Sequence, residues 1–207
     1  MKHEWRKVEK DIYLPKAKPE LIKIPKFKYL VISGKGNPNQ EDFAKRVEAL
    51  YILSYAIRMM PKSGYKPPGY FEYTVYPLEG VWDLTEEGRE LQDKGILKKE
   101  ELVYEIMIRQ PNFVDKNVFD KALEKAMKKD NYYINKVRLE EITDDLSVQM
   151  LHIGSYDTEP ETFKVMREYI NNNSLELLDL RHREIYLSDP RKIAPDKLKT
   201  VLRWCVK

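Results

Sequence analysis

The stretch HREIYLSDPR, residues 182–191, combines a strand-like alternation with the most informative charged residue of the chain. A proline-containing turn at residues 188–190 ends the predicted strand. Because strand side chains alternate between two faces, His182, Glu184 and Tyr186 are expected to share one face. A glutamate between histidine and tyrosine is either an ordinary solvated charge or a polar group placed in a cleft. From residue types alone, both interpretations stay open.

Length and charge limit the classes of function. The chain has 207 residues, which suits one large domain or two closely packed halves. Its 37 basic and 34 acidic residues give a net charge of +3 and are interspersed, so we expect no direct binding to nucleic acid. The 14 tyrosines provide aromatic area with polar tips, which suits a cleft for small molecules.

Cysteine and histidine usage indicates neither a disulfide nor a metal site. Cys205 is the single cysteine, which excludes an internal disulfide and a CxxC metal site. His3, His152 and His182 have no ligand-like spacing, so we expect no metal and no other cofactor. The sequence shows neither a secretory signal nor an apolar run of about 20 residues, so we expect a soluble cytoplasmic protein that does not bind membranes.

Strands and helices are predicted in an order that occurs twice. In the first half, strands are predicted at residues 27–33, 70–77 and 102–110, with a helix at 37–60. In the second half, strands are predicted at 147–153, 175–187 and 199–207, with a helix that begins at a Thr158–Glu161 capping box. The sequence therefore predicts an α+β fold of duplicated β-α-β-β units with pseudo-two-fold symmetry. We expect an antiparallel sheet with helices on one face and a central ligand cleft between the halves.

The predicted boundaries follow this repeat. Residues 1–26 form an extended leader, 27–111 the first half, 112–146 a linker with a helix, and 147–207 the second half. Aligning TVYP at 74–77 with EIYL at 184–187 sets Tyr76 against Tyr186 and Thr74 against Glu184. In this alignment the carboxylate occurs in one half only. Scaffold positions tend to repeat, so the asymmetry favours a functional role for Glu184.

Three motifs carry a family resemblance: YTVYPLEGVW at 73–82, LHIGSYDTEPETF at 151–163 and HREIYLSDPRKIAPDKLKTVLR at 182–203. The chain resembles stand-alone GyrI-like small-molecule-binding proteins, which are related to gyrase inhibitory protein and to effector domains of drug-sensing transcription activators. Ser155 departs from the pattern, because the family usually has proline there. The resemblance implies a central aromatic cleft for aromatic, cationic or electrophilic molecules, and Glu184 matches its acidic position.

The resemblance also implies an activity. Proteins similar to this branch hydrolyse cyclopropane-bearing DNA-alkylating compounds and protect against them. Water addition to such a ring needs a base and a donor at the developing oxyanion, for which Glu184 and a tyrosine hydroxyl (Tyr76 or Tyr104) are the candidates. The candidate ligand-binding residues are Tyr76, Glu79, Trp82, Tyr104, His152 and Tyr186.

Several of these candidates also have a structural interpretation. Glu79, after Pro77, could be a surface charge, Trp82 could belong to the core, and His152 could be a structural residue at a strand end. For the whole protein, the alternative to a hydrolase is a non-catalytic module that binds or sequesters small molecules, similar to a drug sensor. A gyrase-interacting protein is the third hypothesis and rests on the family name alone.

Overall fold

The computed structural model of the protein describes residues 2–207, which contain eight strands and six α-helices. The strands are β1 Glu20–Ile24, β2 Phe27–Lys35, β3 Leu78–Leu84, β4 Leu102–Gln110, β5 Arg138–Ile142, β6 Asp145–Ile153, β7 His182–Tyr186 and β8 Lys199–Cys205. The helices are α1 Trp5–Val8, α2 Lys10–Tyr13, α3 Glu41–Arg58, α4 Glu86–Asp93, α5 Lys116–Ala126 and α6 Glu159–Asn172.

The chain divides into two compact units. The first unit combines Phe27–Leu78 and Trp82–Ile142 with Lys2 and His3. The second unit combines Glu4–Lys26, Glu79–Val81 and Thr143–Lys207. The centre of β3 therefore belongs to the second unit and its ends to the first.

The first unit is built around β2. This strand pairs antiparallel with β4 on one side and β5 on the other, and its apolar residues 29–32 are buried. Helix α3 packs on β2 and β4 through a stripe of fully buried residues, namely Ala49, Leu50, Leu53 and Ile57. Helix α5 packs on α3 and is preceded by the N-cap residue Asp115, whose side chain accepts a hydrogen bond from the Val118 N–H.

The second unit is an antiparallel sheet in the order β1-β6-β8-β7, covered by α6. Met166 and Ile170 of α6 pack into a core cluster with residues of β6 and β8, among them Val148, Leu202 and Trp204. Alternate residues of β8 face this core, as expected for a strand with one side under a helix.

The predicted α+β class is confirmed, and the order β-α-β-β occurs twice, as β2-α3-β3-β4 with α4 inserted between β3 and β4, and as β6-α6-β7-β8. Within the first copy, the strand predicted at residues 70–77 is wrong: this stretch has a single bridge, from Tyr73 to His3, and the strand begins at Leu78. Tyr76 therefore lies outside any strand whereas Tyr186 lies in β7, so the alignment that paired them is also wrong. The cleft predicted between the halves stays a prediction.

Two smaller predictions need correction. The leader is not simply extended, because it contains α1, α2 and β1, and both Trp5 and Tyr13 are buried. The difference is explained by the burial of Trp5 and Tyr13, which stabilises local structure more than the neighbouring prolines disfavour it. The capping box at Thr158 is absent: its hydroxyl donates to the Ser155 carbonyl and accepts no bond from the helix. Among residues 2–207, no helix is long and apolar enough to cross a membrane.

Candidate carboxyl site on strand β7

Strand β7 places Glu184 as predicted, on one face with His182 and Tyr186. The Tyr186 hydroxyl donates to one carboxylate oxygen at 2.8 Å, and the His182 Nε2 lies 3.0 Å from the other. An ionised carboxylate only accepts hydrogen bonds, so Nε2 carries the hydrogen in this contact. Glu184 is 8% exposed, so the interpretation as a solvated surface charge is wrong. The side chain is a buried, positioned carboxylate.

A second carboxyl group, Glu159, lies against Glu184 and was missed by the sequence analysis. It is the first residue of α6, is 6% exposed, and no hydrogen bond is donated to its Oε1. Burial, followed by the charge of Glu184 and a hydrogen bond with Glu184, raises the pKa of Glu159 well above its usual range. A helix N-terminus favours an anion by only about 0.3–1 kcal/mol, so burial and repulsion dominate.

Aromatic rings border this group of residues. The Phe163 ring packs at 4.8 Å, between ring centroids, from the imidazole of His182. The Tyr156 ring meets Tyr186 edge to face at 6.1 Å and remains 39% exposed. Burial and then the nearby charge of Glu184 raise the pKa of Tyr156 to about 12, so its hydroxyl keeps its proton at neutral pH. We call Glu159, Glu184, His182 and Tyr186 the carboxyl site.

The opposite face of β7 is held by a buried ionic network. Arg183 donates to both oxygens of Asp144, at 2.6 and 2.7 Å, and to Glu79 at 3.0 Å. Arg203 of β8 donates to the same Asp144 at 3.0 Å. Burial alone would raise the pKa of Asp144, but the charges and hydrogen bonds of the two arginines outweigh it and lower that pKa to about 2. The network is neutral overall and fixes Arg183, the residue next to Glu184.

Two predicted ligand-binding residues have structural partners in the second unit. Glu79 lies in β3 and not in a surface turn, and its side chain is 1% exposed where it meets Arg183. His152 is 4% exposed, with Nδ1 at 2.8 Å from the Thr162 hydroxyl and Nε2 at 3.0 Å from the Ser155 carbonyl. Both ring nitrogens thus connect β6 to the start of α6. Ligand contacts of these residues stay predictions.

The other predicted aromatic residues lie in the first unit. Trp82 and Tyr104 contact each other with their centroids 5.0 Å apart, and Phe43 packs on both. Tyr104 lies over Gly34 of the neighbouring strand, where an added Cβ would come within 2.4 Å of the ring. Tyr76 contacts different groups: its hydroxyl is 3.2 Å from the His3 Nε2. The Arg109 guanidinium lies over its ring.

Within residues 2–207, no group of three or more histidine, cysteine, aspartate or glutamate side chains has the arrangement of a metal site. Two open depressions, of about 370 and 420 Å³, lie beside the end of α6 and between α3 and α5. Neither is lined by a predicted site residue.

Comparison with known families supports the interpretation of this fold. The model of the GyrI-like small-molecule-binding domain matches residues 17–207. The chain belongs to the GyrI-like family. It is therefore a small-molecule-binding protein, as the resemblance of its motifs indicated. A search of functionally curated proteins finds no match.

Solved structures of this GyrI-like fold include close relatives from Listeria innocua. A hydrolase from this organism is 33% identical, with a TM-score of 0.88 over 99% of this chain and 100% of its own. A second Listeria innocua hydrolase is 35% identical, with a TM-score of 0.90 over the full length of both chains. The C-terminal domain of EcmrR shares the fold at 13% identity and a TM-score of 0.53, over 95% of this chain and 98% of that domain.

The GyrI-like sequence did contain a signal for Glu159. Helix α6 buries one side through Thr162, Met166 and Ile170, and a residue seven positions before Met166 falls on the same side of a helix. That residue is Glu159, an acidic side chain on an otherwise inward-facing stripe. Strand alternation predicts the neighbours of Glu184 within β7 alone and carries no information about a partner on a helix.

Proposed function

We propose that this GyrI-like protein is a hydrolase that opens the cyclopropane ring of electrophilic alkylating compounds by adding water, with Glu184 as the base. The observation that carries the proposal is the buried Glu184 carboxylate, held at both oxygens by His182 and Tyr186. A carboxylate that is fixed and partly removed from water is suited to accept a proton from an attacking water molecule. The two Listeria innocua hydrolases of the same fold support a catalytic role.

The reaction balances with water as the only co-reactant. Glu184 accepts one proton from water while the water oxygen bonds to the ring carbon. The ring carbon–carbon bond breaks, and its electron pair passes through the conjugated dienone to the carbonyl oxygen, which becomes a phenolate. One proton returned to the phenolate gives a phenol, so the product is the substrate plus one water.

A hydroxyl donor would lower the barrier by stabilising the developing oxyanion. In the second unit, Tyr156 is suited to this role by position, because its ring contacts that of Tyr186, which is bound to Glu184, and is partly exposed. Tyr186 already donates to Glu184 and is suited to positioning the base. Tyr76 and Tyr104, the donors expected from the sequence, stay predictions.

The test is incubation with a cyclopropane-bearing alkylating compound, followed by mass analysis for a product heavier by one water. Glu184→Gln keeps the shape of the side chain but removes the base, so turnover should fall about 10²–10⁴-fold. Glu176→Gln is the matched control, because Glu176 lies in the same unit with its side chain 71% exposed. If wild type and Glu184→Gln convert the compound at the same rate, Glu184 is not the base.

A binding or sequestering role is the second candidate, favoured by the small-molecule-binding family to which the chain belongs. The same carboxylate would then provide charge complementarity to an aromatic cation. Glu184→Gln should weaken such a ligand by at least tenfold, or about 1.4 kcal/mol, in a calorimetric titration. Tight binding of the alkylating compound, with all of it recovered intact, would favour sequestration over hydrolysis.

A further inference from the structure

The pairing of Glu159 with Glu184 has no role in a mechanism that uses a single carboxylate base. Glu159 on α6 and Glu184 on β7 share a side-chain hydrogen bond, and both residues are more than nine-tenths buried. Two like charges in such a place repel each other strongly, since burial weakens the screening by water. A carboxyl pair of this kind is stable when it holds one proton.

We propose that Glu159 and Glu184 form a pair that holds a single proton at neutral pH, with Glu159 as the proton donor and Glu184 as the acceptor. The partners of the two residues determine which one is protonated. Glu184 is contacted by two donors, His182 and Tyr186, and these stabilise a carboxylate. The buried Oε1 of Glu159 receives no hydrogen bond, which a neutral carboxyl group tolerates far better than an anion.

The charged and titratable groups around Glu159 also favour a proton on Glu159 and a negative charge on Glu184. Strand β7 contributes Glu184, with His182 and Tyr186 attached to it, and the turn before α6 contributes Asp157 and Tyr156. The two acidic neighbours, Glu184 and Asp157, both raise the pKa of Glu159. None of the main contributions comes from a basic side chain.

The proposal deepens the proposed function, and it rests on that function for the identity of the reaction. When Glu184 takes a proton from water, the pair holds two protons for a moment. One of them can be delivered to the phenolate oxygen, after which the pair again holds one. Glu184 therefore acts first as base and then as acid in a single turnover, while the resident proton on Glu159 keeps the pair at one negative charge before the reaction. Because Glu159 acts through Glu184, it is a positioning residue.

The protonation state can be measured without any substrate. In protein labelled with ¹³C at the glutamate carboxyl carbons, NMR titration should show one carboxyl group still protonated at about pH 7, well above the ordinary glutamate value. Glu159→Gln should remove this resonance. Glu184→Gln should keep it but lower its titration midpoint, because the repelling charge is lost while burial remains. Glu161→Gln, an exposed position on the same helix, is the control and should leave the resonance of the protonated carboxyl group in place.

The outcomes separate this inference from the proposed function. If every glutamate is ionised at about pH 7, or if Glu184→Gln leaves the high midpoint unchanged, the shared proton is refuted. Failure of wild type to hydrolyse any cyclopropane compound would refute the reaction but leave the NMR result intact. If hydrolysis occurs, Glu159→Gln should lose the alkaline limb of the wild-type pH–rate profile. A purely structural role would lower the rate equally at every pH.

Discussion

Replacing Asp144 should destabilise the second unit by an amount that depends on pH. Asp144 is the shared acceptor of Arg183 and Arg203, and its side chain is 9% exposed. Its pKa falls from 3.8 to about 2 in the folded protein, which corresponds to about 2–3 kcal/mol of stability above the ordinary pKa. Asparagine resembles the protonated carboxyl group, so Asp144→Asn should cost about 2–3 kcal/mol at neutral pH.

Alanine at the same position should cost more, about 3–5 kcal/mol, because it removes the charge and also every side-chain acceptor atom that Arg183 and Arg203 contact at this position. The sign of the pH dependence follows from the depressed pKa of Asp144. Its contribution is fully present above the unfolded value of about 3.8 and is lost as the pH falls through about 2. Wild type and Asp144→Asn should therefore converge in stability at the acidic end.

Urea unfolding followed by tryptophan fluorescence measures this difference. The protein has three tryptophans, and in a Trp82→Phe background the remaining two, Trp5 and Trp204, both report on the second unit. Asp179→Asn is the control, because its exposed ion pair with Arg181 should contribute less than about 1 kcal/mol. Equal stability of wild type and Asp144→Asn at neutral pH would refute the reasoning. So would a difference that persists unchanged at about pH 2.

Two further substitutions test close contacts in each unit. Gly34→Ala should destabilise the first unit by about 1–3 kcal/mol, because the new Cβ would lie 2.4 Å from the Tyr104 ring. Urea unfolding measures the change, and a Gly34→Ala variant as stable as wild type would show that the ring does not rest on the glycine. His152→Ala should cost about 1–3 kcal/mol in unfolding experiments, because it leaves the buried Thr162 hydroxyl without its partner. The hydrolysis rate of the folded variant should equal that of wild type if His152 is structural, and a lost rate with unchanged stability would instead favour a functional role for His152.

Much of the fold could be predicted because the residue patterns that indicate strands and helices lie within short stretches of sequence. The strand predicted at residues 102–110 matches β4, and the helix predicted after Gly154 matches α6. The failure at residues 70–77 has a physical reason. Those residues have strand-forming side chains, but apart from the Tyr73 bridge they have no strand partner, whereas β3 begins at Leu78. Strand propensity describes a side chain that fits a sheet, and it does not tell whether a neighbouring strand is present.

The candidate site was predicted in part for a related reason. The contacts of Glu184 with His182 and Tyr186 lie two residues apart in one strand, so alternation alone predicts them. The contact with Glu159 joins residues 25 positions apart on a strand and a helix, and strand alternation contains no information about it. The same holds for Glu79, whose partner Arg183 is 104 residues away. Contacts between residues that are far apart in the sequence become visible only in the three-dimensional structure.

The two faces of β7 explain why a carboxylate can be held in an unfavourable place. On one face, Arg183 is fixed by Asp144 and Glu79, with its side chain 4% exposed. On the other face, Glu184 is kept close to Glu159, although the two carboxyl groups repel each other when both are ionised. A flexible strand would relieve this repulsion by turning Glu184 toward water. The ionic network prevents this movement, because rotating β7 would expose or break the buried arginine contacts. The ionic network on one face of β7 thus keeps the Glu184 carboxylate close to Glu159 on the other face. Because this proximity raises the pKa of Glu159, Asp144 variants that remain folded should show a lower pKa of Glu159.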